Sequence, residues 1–370
     1  FSNSRNRNIG AMMVASDYIL FQDLDLVPCV DFYSRVKTEM SLRQLDIDET
    51  ALLMFGVVYL TAKGTELLDT SERVYGEEVL YDAFMRGDSD LIEKSSTGTS
   101  AVVVGRQYFL ARGGSSMDFE GWGYEDIECN LRLCRRTGWF PLPRDYCHEE
   151  GSMASQVKYQ GWKSYYRLFG DMTFSKRLFY FHRWHEVEEN SEYQQIKERN
   201  RGIFLKKIAE HHVDGTEPEP LPDLNAGTTL ILNKANAFTC PREVRPRFGR
   251  LIERSEDSFR SGPELLNSLK ELEVDRLVFF NPYASKKRLA LYRAVRKAGF
   301  PYLVAERGAL RDSLFFDPHG FNADSKSYDP KYWDKPISDE AAREVEGFAK
   351  AELQSSRSLE EQGDRLGVDG

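Results

Sequence analysis

An α/β architecture in two units is what this sequence predicts, on three observations. Apolar, β-branched runs alternate with charged, helix-patterned stretches over the first two hundred or so residues. A run of acids and prolines (Asp214, Glu217, Pro218, Glu219, Pro220, Pro222, Asp223) then reads as an extended linker. Beyond it the pattern resumes as strand, helix, strand, helix, strand between Thr228 and Glu306, the order of a right-handed parallel array. With 370 residues, 41% of them hydrophobic, the chain is long enough for two units with their own cores. A formal net charge of -9 argues against broad nucleic-acid binding.

The elements follow in order. Residues 2–16 read as a helix and 17–26 as a strand ending in Asp23, Leu24 and Asp25. Alternation along that strand sends both acids to one side and Leu24 to the other, so the carboxylates reach the open carboxyl edge of a buried strand. Residues 31–46 read as a helix, 51–61 as a strand, 62–100 as a helix with a surface loop, and 101–110 as a strand leading into Gly113 and Gly114. A helix over 124–136 follows Gly121, Trp122 and Gly123. The aromatic-rich segments around Trp162, Tyr165, Tyr166, Phe169 and Phe179 to Phe181 read as core, and 191–212 as a charged helix. In the second unit, 228–233, 276–281 and 301–306 are strands, with helices over 261–272 and 286–298. No apolar run approaches the roughly 20 residues of a membrane span. Five cysteines without CxxC spacing read as free thiols of a reducing, cytoplasmic setting.

Two clusters carry chemistry. Open α/β sheets bind ligands at the carboxyl edge, where paired carboxylates suit a hard divalent cation; a solvated turn is the plain alternative for Asp23 and Asp25. Glycines flanking Trp122 allow a sharp turn that holds the indole over a cleft, where it can stack on a sugar ring. Glu125 and Asp126 then open a helix, either as functional acids or as partners of its dipole.

Taken together, Ser4 to Gly10 (with Arg7 and Asn8), the Asp23-Leu24-Asp25 run and the Gly121-to-Asp126 run resemble the inverting GT-A glycosyltransferases, nearest the galactosyltransferase-like and chondroitin-polymerase-like groups. The resemblance covers roughly residues 1 to 190. It implies a GT-A domain over residues 1–212, which the composition follows with a linker over 213–226 and the strand-helix pattern with a Rossmann-like module over 227–370, read as incomplete. It also implies that the first strands of the GT-A domain lie ahead of Phe1, so the chain reads as a fragment. By resemblance, Asp23 and Asp25 hold Mn2+ or Mg2+ against the diphosphate of a nucleotide-sugar donor, with His148 as a further ligand. Arg7 and Asn8 help position the donor nucleotide, Gly114 borders the substrates, Trp122 stacks on the acceptor sugar, Glu125 hydrogen-bonds it, and Asp126 is the catalytic base. His182 and His185 could close over the donor phosphates or pack on an aromatic cluster, and the second reading is taken.

The segment Glu306, Arg307, Gly308, Ala309, Leu310, Arg311 resembles capsule-polysaccharide biosynthesis proteins that include retaining β-Kdo transferases. Arg307 stands where that family carries a catalytic acid, so Kdo specificity does not carry over. The whole then implies a metal-dependent transferase elongating a capsular or surface polysaccharide. Its partners would be a nucleotide sugar, an oligosaccharide or polysaccharide acceptor, and the inner membrane face or capsule assembly machinery. The alternative is a non-catalytic glycan-binding or scaffolding protein. A hydrolase built on Asp23 and Asp25 is disfavoured, since two acids flanking a sugar must lie farther apart.

Overall fold

A computed structural model describes residues 2–151, 153, 158–186, 191–233, 240–308, 314–320, 324–326, 329–333 and 336–354. The chain divides into two units, Phe1–Leu221 and Pro222–Gly370. The first runs α1 (Asn3–Met13), β1 (Tyr18–Phe21), β2 (Leu26–Pro28), α2 (Phe32–Leu42), β3 (Leu52–Met54), β4 (Gly56–Leu60), α3 (Ala62–Thr70), α4 (Arg73–Arg86), β5 (Ile92–Ser96), β6 (Val102–Gly105), α5 (Arg106–Ala111), α6 (Glu125–Thr137), α7 (Gly161–Phe174), β7 (Phe179–His182) and α8 (Ser191–Asp214). Its strands form a three-stranded sheet, β1-β6-β3, and a four-stranded sheet, β2-β7-β4-β5. All neighbours are antiparallel except β4 and β7.

Several expected elements divide, each for a local reason. The strand expected over 17–26 stops at Phe21, and the two acids fall in the turn before β2, closed by the Leu26 N–H donating to the Asp23 carbonyl at 3.2 Å. Leu24, expected to pack, is fully exposed. The strand expected over 51–61 breaks at Phe55, so that β3 and β4 enter different sheets; the Phe55 N–H donates to the Ala101 carbonyl at 2.9 Å and its ring packs on Phe32. The strand expected over 101–110 ends at Gly105. There the Arg106 N–H donates to the Asp17 carbonyl at 2.8 Å and its guanidinium to the carbonyls of Ser16 and Ala11, which turns the chain into α5. Residues 62–100 hold two helices and a strand rather than one helix and a loop.

The aromatic stretch is core. Trp162, Tyr165, Tyr166 and Phe169 on α7 are 1% exposed or less, each contributing the few kcal/mol that burial of a large apolar side chain brings, about 1.5–3. Helix α7 reaches this depth because Gly170 lacks a side chain: a Cβ there would lie 1.7 Å from the Thr97 carbonyl oxygen. Asn130 on α6 and Tyr166 on α7 both donate to the Thr99 carbonyl, which locks the loop before β6 to two helices.

Residues 214–221, read as linker from composition, belong to the first unit and pack along it. The Leu221 N–H donates to the Leu110 carbonyl at 2.9 Å. Glu217 is buried among Arg112 (3.1 Å), Arg136 (2.8 Å) and His211 (3.6 Å). Prolines and acids suggest an extended segment, but whether it floats or packs depends on partners far away in sequence.

The second unit runs β8 (Thr228–Asn233), β9 (Arg250–Ser255), α9 (Gly262–Glu271), β10 (Arg276–Phe280), α10 (Lys286–Lys297), β11 (Tyr302–Arg307), β12 (Leu314–Asp317), α11 (Pro330–Trp333) and α12 (Asp339–Gln354). Its sheet has the order β12-β11-β10-β8-β9. Strands β11, β10, β8 and β9 are parallel, and β12 is antiparallel. The expected strand-helix-strand-helix-strand array is therefore present. Strand β9 carries little strand signal in sequence, because Arg250, Leu251, Ile252, Glu253, Arg254, Ser255 is the pattern of a charged edge. Both sheet faces are covered: Leu230, Leu232, Leu277 and Phe279 on one, Ile231, Val278 and Phe280 on the other. Among the described residues no helix is long and apolar enough to cross a membrane, and all five cysteines are free.

Burial alone would raise the Glu217 pKa, but His211, Arg136 and Arg112 outweigh it and lower the group from 4.5 to about 2. A depressed carboxylate stabilises the fold above its unfolded pKa, and that contribution is lost as pH falls through the folded value. We expect Glu217→Gln to lower stability at neutral pH by about 3 kcal/mol, since it uncouples buried cations. The difference from wild type should shrink as pH falls from about 4.5 toward 2, read by urea unfolding followed by circular dichroism.

Candidate active site

The turn between β1 and β2 sends its two carboxylates to different partners. Asp23 accepts from Arg7 Nη2 at 3.4 Å and from Ser100 Oγ at 2.8 Å. Ser100 is itself fixed by the neighbouring Thr99 lock. Asp25 Oδ2 instead faces His182 Nε2 at 3.0 Å and His185 Nε2 at 3.4 Å. The His182 hydrogen bond, against the opposing effect of burial and with help from both imidazole charges, holds the Asp25 carboxyl below its usual range.

Among the described residues, the group able to hold a metal is Asp25, His182 and His185, whose ligand atoms all lie within 4.8 Å of one another. Asp23 and His148 stand outside it. His148 is exposed, in a turn closed by its own N–H on the Asp145 carbonyl at 2.8 Å. His182 packs its ring on Tyr59 and on His185, and it also faces Asp25: β7 ends at His182, whose register partner on β2 is Leu26, next to Asp25. A histidine pair three residues apart at the end of an apolar strand was the available signal. One carboxylate and two imidazoles fit a divalent cation, and the nitrogen donors suit a transition ion such as Mn2+ better than Mg2+, which prefers all-oxygen sites.

Asp126 opens the first turn of α6, and Gly121, Gly123 and Tyr124 supply the positive φ angles (64°, 107° and 69°) of the turn before it. Burial first, and then the charges of Glu125 and Asp23, raise the Asp126 pKa to about 6, against the lowering effects of Arg7 and the Ile127 N–H. Arg7 sits within the electrostatic reach of Asp126, Asp23 and Glu125, which together keep its guanidinium charged despite burial. Tyr59, half-buried on β4, also feels Asp126, Asp25 and Asp23, after burial, as causes of its raised pKa. The acids of the β1–β2 turn and of α6 thus share electrostatic neighbours in Arg7 and Tyr59.

Glu125 is 3% exposed, with Oε1 accepting from Asn3 Nδ2 at 3.2 Å and Oε2 from the Gly123 N–H at 2.8 Å. It ties α1 to the glycine turn. Trp122 is half-exposed, its carbonyl accepts from Asn200 at 3.2 Å, and Lys197 lies over its ring at 5.7 Å. Asn8 is buried and exchanges two 2.8 Å hydrogen bonds with the backbone of Ser115, so it clamps the loop after Gly114 to α1. Arg132, in a buried pair with Glu128, donates to the carbonyls of Arg112 and Gly114 at 2.6 Å each. A cavity of about 410 Å³ lies at this loop, lined among others by Asn8, Ser116, Lys207 and Glu217, and none of Asp25, His182 and Asp126 lines it.

In the second unit, Glu306 and Arg307 end β11, where they pair in register with Phe315 and Leu314 of β12. Burial, then Asp317, raises the Glu306 pKa. Ala309, Leu310 and Arg311 lie outside the described residues.

We expect Asp25→Ala and His182→Ala each to weaken Mn2+ binding at least about tenfold, and His148→Ala to leave it unchanged, measured by the electron paramagnetic resonance of free Mn2+.

Residues 1–209 match the family model described as glycosyltransferase like family 2. No curated protein matches the chain.

Proposed function

The chain belongs to the glycosyltransferase like family 2, and from that premise we propose that it is an inverting, metal-dependent transferase moving a sugar from a nucleotide-sugar donor to a capsular or surface glycan. The observation that supports this reading is the Asp25, His182 and His185 group, together with the electrostatic link of Arg7 to both Asp23 and Asp126. A cation held by Asp25, His182 and His185 would neutralise the diphosphate of the donor as it leaves. Asp126 is the base: it takes the acceptor hydroxyl proton while the acceptor oxygen bonds the anomeric carbon and the bond from that carbon to the phosphate oxygen breaks. A carboxyl raised to about 6 is better matched to that task than an unperturbed one. Arg7 holds Asp23 and offsets the like charges around Asp126. Trp122 offers its face to the acceptor ring, while Glu125 and Asn8, whose hydrogen bonds go to the protein, hold the glycine turn and the loop after Gly114.

The capsular setting rests on the likeness of the segment at Glu306 to capsule-biosynthesis proteins, and it includes work at the cytoplasmic membrane face with assembly partners. The second unit would then supply a further transferase-like module. A non-catalytic glycan-binding scaffold is the competing reading, and it predicts no Mn2+-dependent turnover of any nucleotide sugar.

Asp126→Asn should lower transfer at least about a thousandfold, within the range for loss of a general base, while donor affinity stays within about twofold. Loss of donor binding in that variant would move Asp126 out of the base role. In wild type, kcat/KM should rise with pH through about 6 and then level, because the base acts deprotonated. A flat profile from about pH 5 to 8 would count against the assignment.

A further inference from the structure

Tyr59 and His182 are register partners in the parallel β4/β7 pair, so both side chains leave the sheet on the same face. Their rings lie 4.7 Å apart at 35°, and His182 lies 5.3 Å from His185. Lys94 Nζ stands over the Tyr59 ring, 4.9 Å from its centre. Lys94, Tyr59, His182 and His185 thus form a row that ends on Asp25.

Lys94 holds this position by the regular register of β5 on β4, with an irregularity just beyond it. In the β4/β5 pair Tyr59 lies opposite Lys94, whereas Leu60 lies opposite Ile92, which leaves Glu93 as an extra residue. Regular alternation would send Lys94 to the side of Ile92, which is buried. The bulge lies past Lys94 and allows Ile92 to be buried while Lys94 stays on the Tyr59 side, at the rim of the ring row. Its ion pair with Glu93, 2.7 Å between two exposed groups, is too weak to withhold the ammonium from a ligand.

We propose that Lys94 is a phosphate-binding residue, seated on Tyr59 by a cation–π contact, that grips the diphosphate of the donor beside the Asp25, His182 and His185 group. The inference rests on the transferase reading and adds to it a second cation at the leaving group. The surroundings are dominated by carboxylates (Asp23, Asp25, Asp126), so a polyanion needs positive partners beyond a single divalent ion to bind there. A lysine is a compact charge suited to phosphate oxygens, and Tyr59 fixes its place without consuming its three donors.

The test uses the full chain and two probes, Mn2+ alone and inorganic pyrophosphate in saturating Mn2+, titrated calorimetrically. Lys94→Ala should bind Mn2+ as wild type does but bind pyrophosphate about tenfold more weakly. Lys94→Arg should recover most of the loss. Pyrophosphate affinity within twofold of wild type in Lys94→Ala, with Mn2+ binding intact, would overturn the proposal and leave the transferase reading standing. Failure of wild type to bind Mn2+ would overturn the metal reading and this proposal together.

Discussion

Arg7 balances three carboxylates drawn from two stretches of chain a hundred residues apart. Asp23 is held directly, and Asp126 and Glu125 lie within its field. Like charges at such proximity repel, and in a partly dry setting the repulsion is severe. A single buried guanidinium lets these acids coexist and leaves Asp126 with a raised pKa rather than a collapsed geometry. Helix α1 is therefore more than packing: Asn3, Arg7 and Asn8 each bind a different part of the site, and all three project from one short helix.

The rest of the scaffold fixes the groups that Arg7 leaves free. Asn130 and Tyr166 lock the Thr99 carbonyl, which sets Ser100 on Asp23. Arg132 and Asn8 hold the loop after Gly114 from two sides. The strap that ends at Leu221 closes over it, and a Cβ on Gly113 would lie 2.5 Å from the Pro218 carbonyl oxygen. Rigid support of this kind matters because transfer chemistry needs a base and a departing group held in line, and small displacements are costly. The histidine pair has a different support, the parallel junction of β4 and β7, which also carries Tyr59.

The acid motifs, the glycine turn around Trp122, the helix behind Asp126 and the alternating array of the second unit were all legible as local patterns. Periodicity and turn chemistry are local, and they transfer to the structure with boundary shifts of a few residues. What failed were inferences that extend one local pattern too far. Strand alternation was carried past Phe21 into a turn, so Leu24 was given a packing role that it does not have. Spacing along the chain points to His148, whereas the meeting of strand ends brings His182 and His185 to Asp25, and spacing says nothing about which strand ends meet.

Residue types and their order were enough to determine a two-unit α/β chain and to mark Asp23, Asp25, Glu125 and Asp126 as the acids of interest. Only the tertiary structure decided their partners. Asp25 acquired two imidazoles because β2 and β7 pair, Glu125 was consumed by Asn3 and Gly123, and Lys94 came to face Tyr59 through the register of β5 on β4. Contacts between distant strands are set by sheet pairing and register, and these depend on the whole packed core rather than on any window of sequence.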